Sequence, residues 1–125
     1  GEWGLTLLQQ SQMALEAKEF ERAELILSDI IRSQPDFAEA WNRRAVLYYV
    51  QGRLQTAIAD CQHVINIIPF HFGALHGLGL CHMGLKDYRA AIHAFRSALE
   101  IQPYAVTNQK LLLECTMHLD QPELP

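Results

Sequence analysis

The chain has 125 residues, 50% of them apolar and 19% charged, with a formal net charge of −4; that is ample for one folded core and leaves no basic excess to grip a phosphate backbone. No apolar run reaches the roughly 20 residues of a membrane-spanning helix, and the opening Gly1-Glu2-Trp3-Gly4 lacks a basic-then-apolar leader layout. Cys61, Cys81 and Cys115 are odd in number and far apart, which excludes a disulfide framework and points to a soluble chain in a reducing compartment, cytoplasm or organelle stroma or matrix.

Taken in order, the first predicted helix covers residues 4–17 and carries Leu7 and Ala14. The second, 20–33, sets Phe20, Ala23, Leu27, Ile30 and Ile31 on one stripe before Pro35 ends it. The third, 38–51, holds Trp41 and Tyr48 and stops at the turn Gln51-Gly52-Arg53. The fourth, 54–67, presents Leu54, Ala57, Cys61 and Ile65 and is followed by Pro69. The fifth, 72–84, brings Leu75, Leu78, Gly79 and His82 and closes at Gly84-Leu85-Lys86-Asp87. The sixth, 88–101, repeats the stripe with Tyr88, Ala91, Ile92, Phe95, Ala98 and Leu99 before Pro103. The seventh, 105–119, is expected to pack Val106, Leu111, Leu112, Cys115 and Leu119 inward and to turn Gln109, Glu114 and His118 to water, with a loose tail at 120–125.

Several positions recur at a step of 34 residues. Pro35, Pro69 and Pro103 form one column and Ala23, Ala57 and Ala91 a second; Phe20, Leu54 and Tyr88, Leu27, Cys61 and Phe95, and Ile31, Ile65 and Leu99 form three more. With these columns and the partial matches Trp41 and Tyr48 in the second unit, and Leu78-Gly79, Ala91, Phe95 and Pro103 in the third, the chain resembles the tetratricopeptide repeat family. The resemblance implies an all-α, right-handed superhelical solenoid of antiparallel helix pairs. Its units would span about 4–37, 38–71 and 72–105, with a capping helix at about 105–119, all in a single domain over 1–125. The alanine column then marks tight helix contacts, where a larger side chain would overpack.

Candidate chemistry is sparse. His76, Cys81 and His82, with His71, are the nearest approach to a metal set, but His76 and His82 fall on different faces of a helix, and no metal-ligand motif is present. Cys81 and His82 are adjacent on a helix, pointing about 100° apart, so they make a poor nucleophile and base. Gly73, Gly77, Gly79 and Gly84 do not follow a phosphate-loop spacing. Gly79 falls in a packing column, while Gly73 and Gly77 share a face that is either a close helix contact or an open floor. No enzyme activity, metal or cofactor is expected.

In this family the first helix of each pair lines a concave groove that receives a partner's peptide or helix. Carried over by period, the resemblance implies a lining of Leu8, Gln12 and Leu15, with Leu5, Gln9 and Glu16, from the first unit. The second unit offers Glu39, Asn42, Arg43, Val46 and Tyr49, with Val50, and the third His76, Leu80 and Met83 beside Gly73, Gly77 and Gly84. The Lys, Asn and Arg clamp that some members close on chaperone C-terminal carboxylates is absent, since those positions hold Leu8, Gln12, Arg43, Gly73 and Gly77. The expected function is a protein-interaction module or adaptor for an apolar or amphipathic segment, not an acidic chaperone tail. The alternative is a structural assembly subunit or self-associating scaffold, a homo-oligomer included. Neither nucleic acid nor a membrane-inserted role is expected.

Overall fold

The computed structural model describes the backbone of residues 2–121 and the side chains from residue 6 to residue 121. The roles expected for Leu5 and for residues 122–125 therefore lie outside the described side chains. Among the described residues seven helices follow one another: α1 (Glu2–Glu16), α2 (Phe20–Ser33), α3 (Ala38–Val50), α4 (Leu54–Ile67), α5 (Phe72–Gly84), α6 (Tyr88–Ile101) and α7 (Val106–Asp120). Among the described residues there is no strand, and no helix is long and apolar enough to cross a membrane. Helices α2, α4, α5 and α6 have the expected bounds; α1 starts two residues earlier, α3 ends one residue sooner and α7 runs from 106 to 120.

Two kinds of turn alternate, and each has its own chemistry. Between pairs, Gln34, Ile68 and Gln102 accept a hydrogen bond from the amide three residues on, at Phe37 (3.0 Å), His71 (3.1 Å) and Ala105 (3.2 Å). Pro35, Pro69 and Pro103 follow those acceptors, at the second turn position, where a fixed φ favours the turn and no donor is lost. Within pairs, the backbone turns left-handed at Lys18 (φ 61°), Gly52 (φ 77°) and Lys86 (φ 62°), again one column at a step of 34. The next amide then reaches back to the helix: Glu19 to the Ala14 carbonyl (2.8 Å), Arg53 to Tyr48 (2.8 Å) and Asp87 to His82 (2.9 Å), which satisfies carbonyls left open at the helix end. Gly84, expected as part of the last of these turns, instead ends α5 against Leu54. A methyl there would lie 2.7 Å from a Leu54 methyl.

The alanine column is fully buried, with Ala23, Ala57 and Ala91 each at 0% exposure. Gly79 belongs to the same logic, because a Cβ would collide with the ring of Phe95. The two readings left open for Gly73 and Gly77 divide between them. Gly77 is half-buried, with a methyl there meeting the Cys61 Sγ at 3.5 Å, whereas Gly73 is exposed.

At the junction between the first two pairs, polar groups take part in the packing. Trp41 donates to the Pro35 carbonyl (2.8 Å) and stacks on His63, the ring centroids 3.9 Å apart. Arg44 makes two hydrogen bonds to Asp60, 2.8 and 3.0 Å, and one to Ser28, 3.2 Å. Tyr48 donates to Glu24 (2.9 Å), which also accepts from Arg53 (3.1 Å). Burial is the main cause that raises the Tyr48 phenol above its ordinary pKa, with the Glu24 hydrogen bond second.

The last helix departs from the expected cap. Leu111, Leu112 and Cys115 pack on Ala91, Ile92 and Phe95 as foreseen, and Gln109, Glu114 and His118 are exposed. Val106 and Leu119, expected inside, are instead exposed at 58% and 39%, and Leu113 and Met117 join them at 61% and 57%. The reason is geometric: with Cys115 and Asn108 pointing inward, residues 106, 113 and 117 fall on the opposite side of the helix. The outer face of α7 is mixed rather than polar.

Candidate functional site

Helices α1, α3 and α5 place the expected lining residues in columns one unit apart: Gln12, Val46 and Leu80, then Leu15, Tyr49 and Met83. Their surroundings differ. Val46, Tyr49 and Val50 of α3 are exposed at 46%, 40% and 55%, an apolar strip on the middle unit. Leu15 is partly drawn into the first core, and Leu80 and Met83 into the packing around Phe95 and Cys115, so each offers only part of its side chain.

A hollow of about 580 Å³ lies beside the strip, lined by Leu8, Gln9, Gln12, Met13, Glu16 and Arg43. Arg43 is its organising group. It donates to Gln12 (3.0 Å) across the unit boundary and to Glu39 (3.0 Å) one turn back on its own helix, which ties three of the expected residues together. Leu8 is 93% covered and forms the floor. Met13, exposed at 68%, was not anticipated; its position four residues after Gln9 on one helical face was the available signal.

At the far end, His76 of α5 forms a hydrogen bond through Nδ1 with Asn108 of α7, and its ring lies near those of Phe72 and Phe95. His76 and Asn108 border a second hollow of about 290 Å³ with Phe72, Gln102, Ala105, Val106 and Thr107. Asn108 is 1% exposed, and its amide nitrogen has no partner among the described residues. Asn42 approaches the α5 N-terminus, 3.8 Å from where a Gly73 methyl would lie. His71 is engaged elsewhere, accepting a hydrogen bond from the Ala74 amide (2.9 Å) at the start of α5. Among the described residues no three His, Cys, Asp or Glu side chains gather as a metal site.

The seven helices in register, with their two recurring turns, decide the family. Residues 36–103 match the sequence profile of the tetratricopeptide repeat. The chain belongs to the tetratricopeptide repeat family. It is 36% identical over 104 residues to a TPR repeat-containing protein of Rhizobium etli, covering 83% of this chain and 51% of that protein. It is 25% identical to a BBSome complex member BBS4 homolog of Drosophila melanogaster, over 77% of this chain and 20% of that one. The chain thus spans about half, or less, of the length of these relatives. Among solved structures it is similar to the first TPR of Spaghetti (RPAP3) bound to an HSP90 peptide, with TM-score 0.91, 16% identity and 94% of each chain covered. At that identity the likeness concerns the fold.

Proposed function

We propose that this chain is a protein-interaction module that holds an apolar or amphipathic segment of a partner along the face formed by α1, α3 and α5. The observation that carries the reading is the exposed strip Val46, Tyr49 and Val50 beside the hollow organised by Arg43. An aromatic ring flanked by branched apolar side chains supplies contact area at low entropic cost, and a neighbouring guanidinium fixes the direction of the segment. Gln12, Glu39, Asn42 and His76 add polar contacts along the path, while Leu8, Leu15, Leu80 and Met83 provide its floor.

The similar structure named above carries a peptide ending in Glu-Glu-Val-Asp. This chain has Leu8, Gly73 and Gly77 where a carboxylate clamp places cations, so an acidic chaperone tail is not the expected ligand. The reading assigns the chain no catalytic role.

Assembly within a larger complex is the second reading, favoured by the exposed Val106, Leu113 and Met117 on α7. Light scattering separates self-association from a monomer that binds other chains. Affinity capture with wild-type and Tyr49→Ala baits, read by quantitative mass spectrometry, tests the first reading. Partners enriched by wild type and depleted by the variant support it, and equal recovery argues against it.

A further inference from the structure

The repeat permits a comparison inside the molecule. The junction between the first and second pairs is filled from α3: Trp41 stacks on His63 of α4, and Arg44 lies over the indole, 5.0 Å from its centre, while bonded to Asp60 of α4 and to Ser28 of α2. One unit later the same four stations hold Leu75, Ser97, Leu78 and Ala94. Every replacement is smaller or loses its polar group, and a groove of about 560 Å³ opens there between α4 and α6. Its floor is Leu75, Leu78 and Ala94, which belong to the buried or half-buried interior. Phe70 stands at its rim, 77% exposed, where the first junction has Asp36. This groove lies between the second helices of two pairs, away from the strip on α3.

The occupant follows from the chemistry of the filled junction and from the charge of the open one. In the first junction a flat indole has a stacked ring and a cation against it. In the second, Phe70 supplies a ring, and Glu100 is the one formally charged residue of the lining; it pairs with no cation among the described residues. We infer that the α4–α6 groove is a second docking site, which takes an aromatic side chain, indole above all, from a partner segment carrying a Lys or Arg next to it. The ring replaces Trp41 of the filled junction, resting on Leu75 and Leu78 and against Phe70, and the adjacent cation meets Glu100. A groove of this volume is within the range of sites that bury a small ligand, and the aromatic anchor supplies most of the affinity.

The test uses the peptide acetyl-Gly-Trp-Lys-Gly-amide, titrated into the isotope-labelled chain while amide shifts are followed by NMR. Saturable shifts centred on Ile65, Asn66, Ala94 and Ser97 are expected. They should vanish with the peptide in which Ala replaces Trp, and Glu100→Lys should weaken binding by about threefold, the size of one exposed ion pair. Leu75→Trp with Ser97→His installs the filling of the first junction and should abolish the shifts. Should that pair of changes disturb folding, Phe70→Ala and Glu100→Lys still decide, since both side chains are exposed. The Tyr49→Ala protein should bind this peptide as wild type does, which separates the groove from the strip on α3. No saturable shift, shifts confined to the α3 strip, or equal binding by Phe70→Ala and Glu100→Lys would each overturn the assignment.

Discussion

Arg44 holds Asp60 through two parallel hydrogen bonds, 2.8 and 3.0 Å, at a position where Asp60 is only 3% exposed. The Asp60 side-chain hydrogen bond is the main cause that raises the Arg44 pKa above its ordinary value, against the opposing effect of burial. The Arg44 guanidinium therefore stays charged over the whole working range.

The pair is expected to be strongly asymmetric in its response to mutation. Arg44→Ala strands a buried carboxylate and should cost about 3–5 kcal/mol. Arg44→Leu with Asp60→Ala copies Leu78 and Ala94 of the next unit and should recover most of that loss, to within about 1–2 kcal/mol of wild type. Urea denaturation of the single and double variants checks this. A double variant no more stable than Arg44→Ala would show that the pair holds the junction by more than mutual neutralisation.

The left-handed column at 18, 52 and 86 gives a second expectation. A side chain in that conformation costs roughly 1–2 kcal/mol, and only Gly52 avoids it. Lys18→Gly and Lys86→Gly should each stabilise the chain by about 0.5–1 kcal/mol, once the extra freedom of glycine in the unfolded chain is subtracted. Gly52→Ala should destabilise by about 1 kcal/mol. Thermal unfolding of the three variants measures the signs, and a loss of stability in both lysine variants would contradict the turn geometry.

Burial pushes the Cys61 thiol up to about 12 and the Cys81 thiol up to about 11. In both, loss of hydration is the leading cause. Thiolate therefore forms first in the unfolded chain: the contribution to stability is complete below the ordinary value near 9, and it is lost as pH rises toward 11–12. Labelling by a thiol reagent near pH 8 should be slow until denaturant is added, at all three cysteines, since each is buried. The wild-type urea midpoint should fall between about pH 9 and 11 more steeply than that of Cys61→Ala. Rapid labelling of the native chain at Cys61 or Cys81 would contradict the packing.

Much of the architecture was legible because a 34-residue step forces the same packing problem three times. Proline after each pair and alanine at each tight crossing are its simplest solutions. The left-handed turns were less visible, since lysine occupies two of the three positions and carries no sign of positive φ. Arg44 carries no sign of its role in the sequence, because its partner Asp60 lies 16 residues away on another helix. The outer side of α7 differs for a related reason: a helix with apolar residues on most of its circumference has no single inward stripe, and Leu111, Leu112 and Cys115 pack inward while Val106 faces out and Leu119, one residue from the helix end, is left partly exposed. The exposed places of Tyr49 and Val46 agree with what the family resemblance implied, whereas the exposure of Met13 and the Arg43–Gln12 contact had no such signal.

The α3 strip is tested most directly by calorimetric titration. The segment mapped in a partner recovered by wild-type capture is titrated into wild-type and Tyr49→Ala chains of equal helicity. Tyr49 is 40% exposed and lies outside the recurrent packing columns, so folding should be unchanged while binding weakens by about 1–3 kcal/mol, the range of an aromatic anchor. A well-folded Tyr49→Ala chain that binds the same segment with undiminished affinity would contradict the assignment of this face as the binding surface.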